Sequence, residues 1–154
     1  MKIRFAHLSI TATDLKKLSE FYMKALGFVP ALAEKGFSGE WVEKGTGVKG
    51  ADFRRIHLRL PGSEDSPLLE IIQYTETIDG ASRGPANSAG IRHVAFEVES
   101  DENLRKLFDL VIRNGGGKLG EISSHRVEGL GEVSFVYMTD PEGNIVELVS
   151  WSRE

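Results

Sequence analysis

A single offset relates the two halves of this 154-residue chain. His93 lies 86 positions after His7 (93 minus 7), and the same shift lays Val94 on Leu8, Phe96 on Ile10 and Val98 on Ala12. Carried further, it lays Leu104 on Leu18, Leu107 on Phe21, Phe108 on Tyr22, Val111 on Ala25 and Ile112 on Leu26. One spacing thus preserves both an alternating pattern and a pattern with apolar residues three and four apart. Two copies of one structural unit are expected, each unable to bury its apolar side alone.

Each copy opens with a half-buried strand, Phe5 to Thr11 and Ile91 to Val98, with His7 and His93 on the less apolar face. An amphipathic helix follows in each, through Leu15, Leu18, Phe21, Tyr22, Ala25 and Leu26, then through Leu104, Leu107, Phe108, Val111 and Ile112. Thr13 or Asp14, and Ser100 or Asp101, are the candidate N-caps, while Gly27 and Gly115 stand where a left-handed residue ends a helix. Strands over Arg54 to Leu60 and Leu68 to Tyr74 close the first copy, and strands over Glu132 to Thr139 and Asn144 to Trp151 close the second. A weaker strand is expected before each pair. The fold class is therefore α+β, with two tandem βαβββ modules: residues 1–80 and 91–154, joined by a linker at 81–90 within the Gly/Ser/Pro/Asn-rich stretch from Asp79 to Gly90. The glycine-rich stretch Gly36 to Phe53 lacks steady periodicity and reads as a long loop over a site. Trp41 within it either caps a ligand or anchors its own loop.

Composition narrows the partners. Acids and bases are interspersed with a formal charge of -4, which leaves no basic stripe for nucleic acid and no cationic helix for a membrane surface. No apolar run is long enough to span a bilayer, and the start of the chain has no secretory pattern, so cytoplasm is the default compartment. Cysteine is absent, excluding thiolate metal sites and cysteine nucleophiles. A small molecule is the expected partner.

Glu70 in Leu68-Leu69-Glu70-Ile71-Ile72 and Glu147 in Ile145-Val146-Glu147-Leu148-Val149 are each the one charge in an apolar strand. Dehydrating a carboxylate costs several kcal/mol unless a cation or a set of donors offsets it. Both glutamates stand on the last strand of a module and both histidines on the first. His7, Glu70, His93 and Glu147 form a mixed N/O set suited to one divalent ion such as Zn, Ni, Co, Mn or Fe(II), with positions left open for water or substrate. A lone strand histidine is ordinarily a hydrogen-bonded core or edge residue, but four candidates at matching repeat positions argue for ligation. Arg55, His57 and Arg59 make one face of their strand basic: either a solvated outer face, or a lining that favours an anionic substrate.

Several runs also carry a family resemblance: His7-Leu8-Ser9-Ile10 with Leu26-Gly27-Phe28, Gly90-Ile91-Arg92-His93-Val94-Ala95-Phe96, and Asp140-Pro141-Glu142-Gly143-Asn144-Ile145-Val146-Glu147-Leu148. Together they resemble the vicinal oxygen chelate superfamily, which includes glyoxalase I, methylmalonyl-CoA epimerase, extradiol dioxygenases, fosfomycin-resistance enzymes and bleomycin-binding proteins. The resemblance implies a cup-shaped mixed sheet with helices on its convex face, a metal in the cup, and a homodimer. The two-histidine, two-glutamate set resembles that of glyoxalase I and its lyase and isomerase relatives, where the metal stabilises an enediolate formed from a substrate with vicinal oxygens. It further implies Glu147 as the catalytic base and Glu70 as the opposite-face acid or base. Two alternatives stay open. Tyr137-Met138-Thr139-Asp140-Pro141-Glu142-Gly143 is similar to part of the iron(II) extradiol dioxygenase signature, with His125 upstream as a second acid or base or a plain surface residue. A non-catalytic small-molecule binding protein is the other.

Overall fold

The computed structural model describes residues 2–63, 65–78 and 84–153, so part of the expected linker lies outside the described residues. The chain forms two compact units, residues 1–23 with 27–79 and residues 24–26 with 80–154, and in chain order it runs through two modules. The first contains β1 (His7–Thr11), α1 (Leu15–Leu26), β2 (Val29–Ser38), α2 (Glu40–Thr46), β3 (Asp52–Arg59) and β4 (Leu68–Tyr74). The second contains β5 (His93–Val98), α3 (Asp101–Arg113), β6 (Gly117–Lys118), β7 (Ser123–Val127), β8 (Gly131–Thr139) and β9 (Ile145–Ser152). Both are the expected strand, helix and closing strands. In the second, the weak strand is split into the short β6 and β7, which both pair with β8.

The helices start and stop where the capping chemistry directs. Asp14 accepts a hydrogen bond from the Lys17 N–H at 2.9 Å, and Ser100 accepts one from the Asn103 N–H at 3.2 Å. Gly27 ends α1 in the left-handed region (φ 75°), a conformation that a side chain makes costly. No helix among the described residues is long and apolar enough to cross a membrane.

Each sheet pairs its first strand, in parallel, with its last: the orders are β1-β4-β3-β2 and β5-β9-β8-β6. Side-chain alternation then sorts the faces. In the first module Leu58, Leu69 and Ile71 are buried on one face. Gln73 shares the face of Leu69 and Ile71 and fastens the start of α1, donating to the Thr13 carbonyl and accepting from the Leu15 N–H. The long helix therefore lies opposite the face that carries Glu70. The second module is built alike. Ser134 and Ser150 share the faces of Val136 and Leu148, and both donate to Asp101 at the start of α3. Glu147 and Tyr137 point the other way.

One expectation is corrected. The stretch Gly36 to Phe53 is not a long loop: residues up to Ser38 complete β2, Glu40–Thr46 form α2, and β3 begins at Asp52. Val42 of α2 packs with Ala51 and Phe53 and against Phe37, Ile72 and Tyr74. Phe53, Ile72 and Tyr74 lie on the Glu70 side of their strands, so α2 covers part of the face that α1 leaves open.

Candidate metal centre

Strand register decides which side chains can meet. In the first sheet His7 pairs with Leu68 and Ser9 with Glu70, so His7 and Glu70 are diagonal neighbours on one face. In the second sheet His93 pairs with Ile145 and Ala95 with Glu147, repeating that diagonal. The turn before β9 fixes the register locally. Asp140, buried, accepts from the Glu142 N–H, the Asn144 N–H and the Asn144 side-chain amide, at 2.8 to 2.9 Å.

In the first module His7 Nε2 lies 3.4 Å from Glu70 Oε2. His57 pairs with Glu70 across β3 and β4, and its Nε2 lies 3.2 Å from Oε1. Arg55 Nη1 donates to the same Oε1 at 2.7 Å. Glu70 itself is 3% exposed. One carboxylate oxygen is therefore held by Arg55 and His57, and the other is turned to His7. Burial lowers the His57 pKa below its ordinary 6.5, opposed by the nearby Glu70 charge and assisted by Arg55 and His7, so the ring is neutral at pH 7 and offers a lone pair. His7, His57 and Glu70 present ligand atoms that all lie within 4.8 Å of one another. Two imidazoles and a carboxylate at that spacing fit a borderline divalent ion.

In the second module His93 Nε2 lies 3.1 Å from Glu147 Oε2. The His93 ring also rests against Tyr137, with centroids 4.9 Å apart. His125 is exposed on β7, which is paired with β8 rather than lying in a loop.

Of the sequence-derived ligands, His7 meets Glu70 and His93 meets Glu147, each pair within its own module. His57 was not among the expected ligands, and the structure puts it at the Glu70 carboxylate. The basic face of β3 is the inward one: His57 is buried and Arg55 is bonded to Glu70, which settles the choice against a solvated outer face for these two. The sequence carried a signal in the alternation of Arg55, His57 and Arg59, but the pairing of His57 with Glu70 depends on strand register.

Two βαβββ modules with a His–Glu pair at the same register in each define a class of paired-module proteins with candidate metal sites on their sheet faces. Residues 4–148 match the family model described as the Glyoxalase/Bleomycin resistance protein/Dioxygenase superfamily, and the chain belongs to that family. It is similar in structure to a glyoxalase family protein from Bacillus cereus, with a TM-score of 0.81, 20% identity, and coverage of 98% of this chain and 95% of that one. A glyoxalase/bleomycin resistance protein/dioxygenase family enzyme from Burkholderia phytofirmans PsJN matches with a TM-score of 0.60 at 14% identity, covering 97% of this chain and 100% of that one. A glyoxalase I mutant from Zea mays matches with a TM-score of 0.64 at 18% identity, covering 94% of this chain and 45% of that one. At these identities the likeness is one of fold. No curated protein matches the chain in sequence.

Proposed function

We propose that the protein is a divalent-metal-dependent lyase or isomerase that relocates a proton on a small substrate carrying vicinal oxygens. The observation that supports this most is the repeated pairing of an imidazole with a carboxylate, His7 with Glu70 and His93 with Glu147, at one register in two modules. In this reading those four residues hold the ion, and His57 is a further donor to it. A divalent ion held there supplies Lewis-acid polarisation of the substrate oxygens.

The two carboxylates are suited to different tasks. Glu70 is fastened by the Arg55 guanidinium and lies between two imidazoles, so a proton added to it would weaken a charge-assisted hydrogen bond. Among the described residues the Glu147 side chain is held by His93 alone, and it is more exposed than Glu70. Glu147 is therefore the better base toward a carbon beside a carbonyl, and Glu70 is better suited to be the fixed ligand than the opposite-face acid or base.

The direct test is solvent deuterium incorporation into panels of hemithioacetals, 2-hydroxyketones, 2-hydroxy and 2-oxo acids and acyl-CoA esters, with Ni, Co, Mn, Zn or Fe(II) added. Metal-dependent exchange without oxygen consumption, abolished in Glu147→Gln, is expected. Absence of exchange across the panel with every metal would remove the lyase or isomerase reading.

One observation favours a second reading. His7, His57 and Glu70 are two histidines and one carboxylate, the ligand set of iron(II) oxygenases. Oxygen uptake with catechols by the iron(II)-loaded protein would select it.

A further inference from the structure

Beside the Glu70 cluster, on the same face of the first sheet, lies a cavity of about 200 Å³. Its walls are Phe37, Phe53, Trp41, Val42, Gly45 and Thr46, and Arg55 lies at its edge. α2, the element that the sequence did not announce, supplies four of those residues. We propose that this cavity receives the ring of an aryl-substituted 2-hydroxy or 2-oxo acid whose carboxylate is bound by Arg55. This rests on the proton-transfer reading and names its substrate class.

The lining selects an aromatic group. Phe37 lies 5.7 Å from Phe53 and 6.0 Å from Trp41, centroid to centroid, so three rings border the space. Trp41 remains 67% exposed, which is not the burial of a residue that anchors its own segment. A flat apolar guest would cover it. A cavity on the order of 150 Å³ is enough for a benzene ring, so this one admits a single ring with a short substituent.

Arg55 specifies the other end. Its guanidinium sits 4.5 Å from the centroid of the Phe37 ring and bonds Glu70 through Nη1. Five N–H donors on a planar fork leave more than one for a carboxylate. Along β3 the order is Phe53, Arg55, His57, with same-face residues roughly 6.6 Å apart. The guanidinium itself stands 4.5 Å from the centre of a ring that walls the cavity, so the acid needs only a short link between its ring and its carboxylate. The same guanidinium bonds Glu70, so a carboxylate held by it carries its vicinal oxygen beside the metal-binding donors.

Gly45 adds an independent sign. A glycine weakens a helix, yet one stands inside the seven-residue α2, and a Cβ built on it meets nothing within 4 Å. Gly45 is itself part of the cavity lining.

The test reads binding in the full chain without metal, so it does not depend on turnover. In a Trp151→Phe background Trp41 is the only remaining tryptophan, and its fluorescence reports the cavity. Mandelate and 3-phenyllactate should change that fluorescence saturably, in the presence of chelator, with dissociation constants at least tenfold below that of lactate. Gly45→Leu should abolish the preference, Gly45→Ala should reduce it, and Arg55→Met should weaken the acids while leaving benzyl alcohol unaffected. Equal binding of lactate and phenyllactate, or undiminished binding in a folded Gly45→Leu protein, would overturn the proposal. A metal-loaded protein that exchanges deuterium but does not discriminate rings would lose only this inference. Ring binding with no exchange would leave the cavity assigned and remove the proton-transfer reading.

Discussion

Glu70 shows how a buried charge is made tolerable by neighbouring side chains. Its carboxylate is out of water and meets Arg55, His57 and His7. Removing one partner of a fully buried pair costs about 3–5 kcal/mol. Arg55 is one-third exposed, so Arg55→Met is expected to lower stability by less, roughly 1–3 kcal/mol by denaturant unfolding. Because Arg55 also orients the carboxylate of Glu70, a proposed ligand, the same change should weaken metal binding by about 10- to 100-fold in a chelator competition. Asp101 offers a separate test. Hydrogen bonds from Ser150 (2.5 Å) and Ser134 (2.9 Å) hold its carboxyl below the ordinary 3.8. A carboxyl whose pKa is depressed on folding adds stability above its unfolded value, and that stability is lost as pH falls through the folded value. Asp101→Asn should therefore lower the Tm at pH 7, and the gap to the parent should close as the scans move below pH 3.8.

At the scale of elements, patterning read the long pieces well. The last strand of the first module was expected at Leu68 to Tyr74 and is found there, and both long helices follow their apolar spacing. α2 was illegible because seven residues give less than two full turns, and Gly39, Gly45, Gly47 and Gly50 dilute the pattern. Only its packing of Val42 against Phe53, a tertiary contact, makes it a helix worth forming. Gly45→Ala should accordingly stabilise the protein by about 0.5–1 kcal/mol even as it narrows the cavity, a gain that denaturant unfolding resolves. Gly131 is the opposite case. It opens β8 with φ 104°, and a Cβ there would lie 2.2 Å from the Ser152 carbonyl oxygen of β9. Gly131→Ala combines strain with overlap, on the order of 3 kcal/mol, so the Tm should fall by roughly 6–12 °C in calorimetry.

On the scale of the whole molecule, the repeat made most of the fold readable, since two weak patterns at one offset are jointly strong. It also located the four candidate ligands, because a duplicated unit repeats its first-strand and last-strand register. His57 and Arg55 escaped it: they depend on which residue of β3 faces Glu70, and a cross-strand register is not written in either strand alone. The proposed ligand set would couple metal to folding, with a saturating ion at 100 times its dissociation constant adding about 2.7 kcal/mol. The most direct measurement is the metal content of the dialysed protein beside His7→Ala, Glu70→Gln and, as a surface control, His125→Ala. One divalent ion per chain is expected in the parent and in His125→Ala, with clear loss in the other two. Full metal content retained by folded His7→Ala and Glu70→Gln proteins would contradict the account.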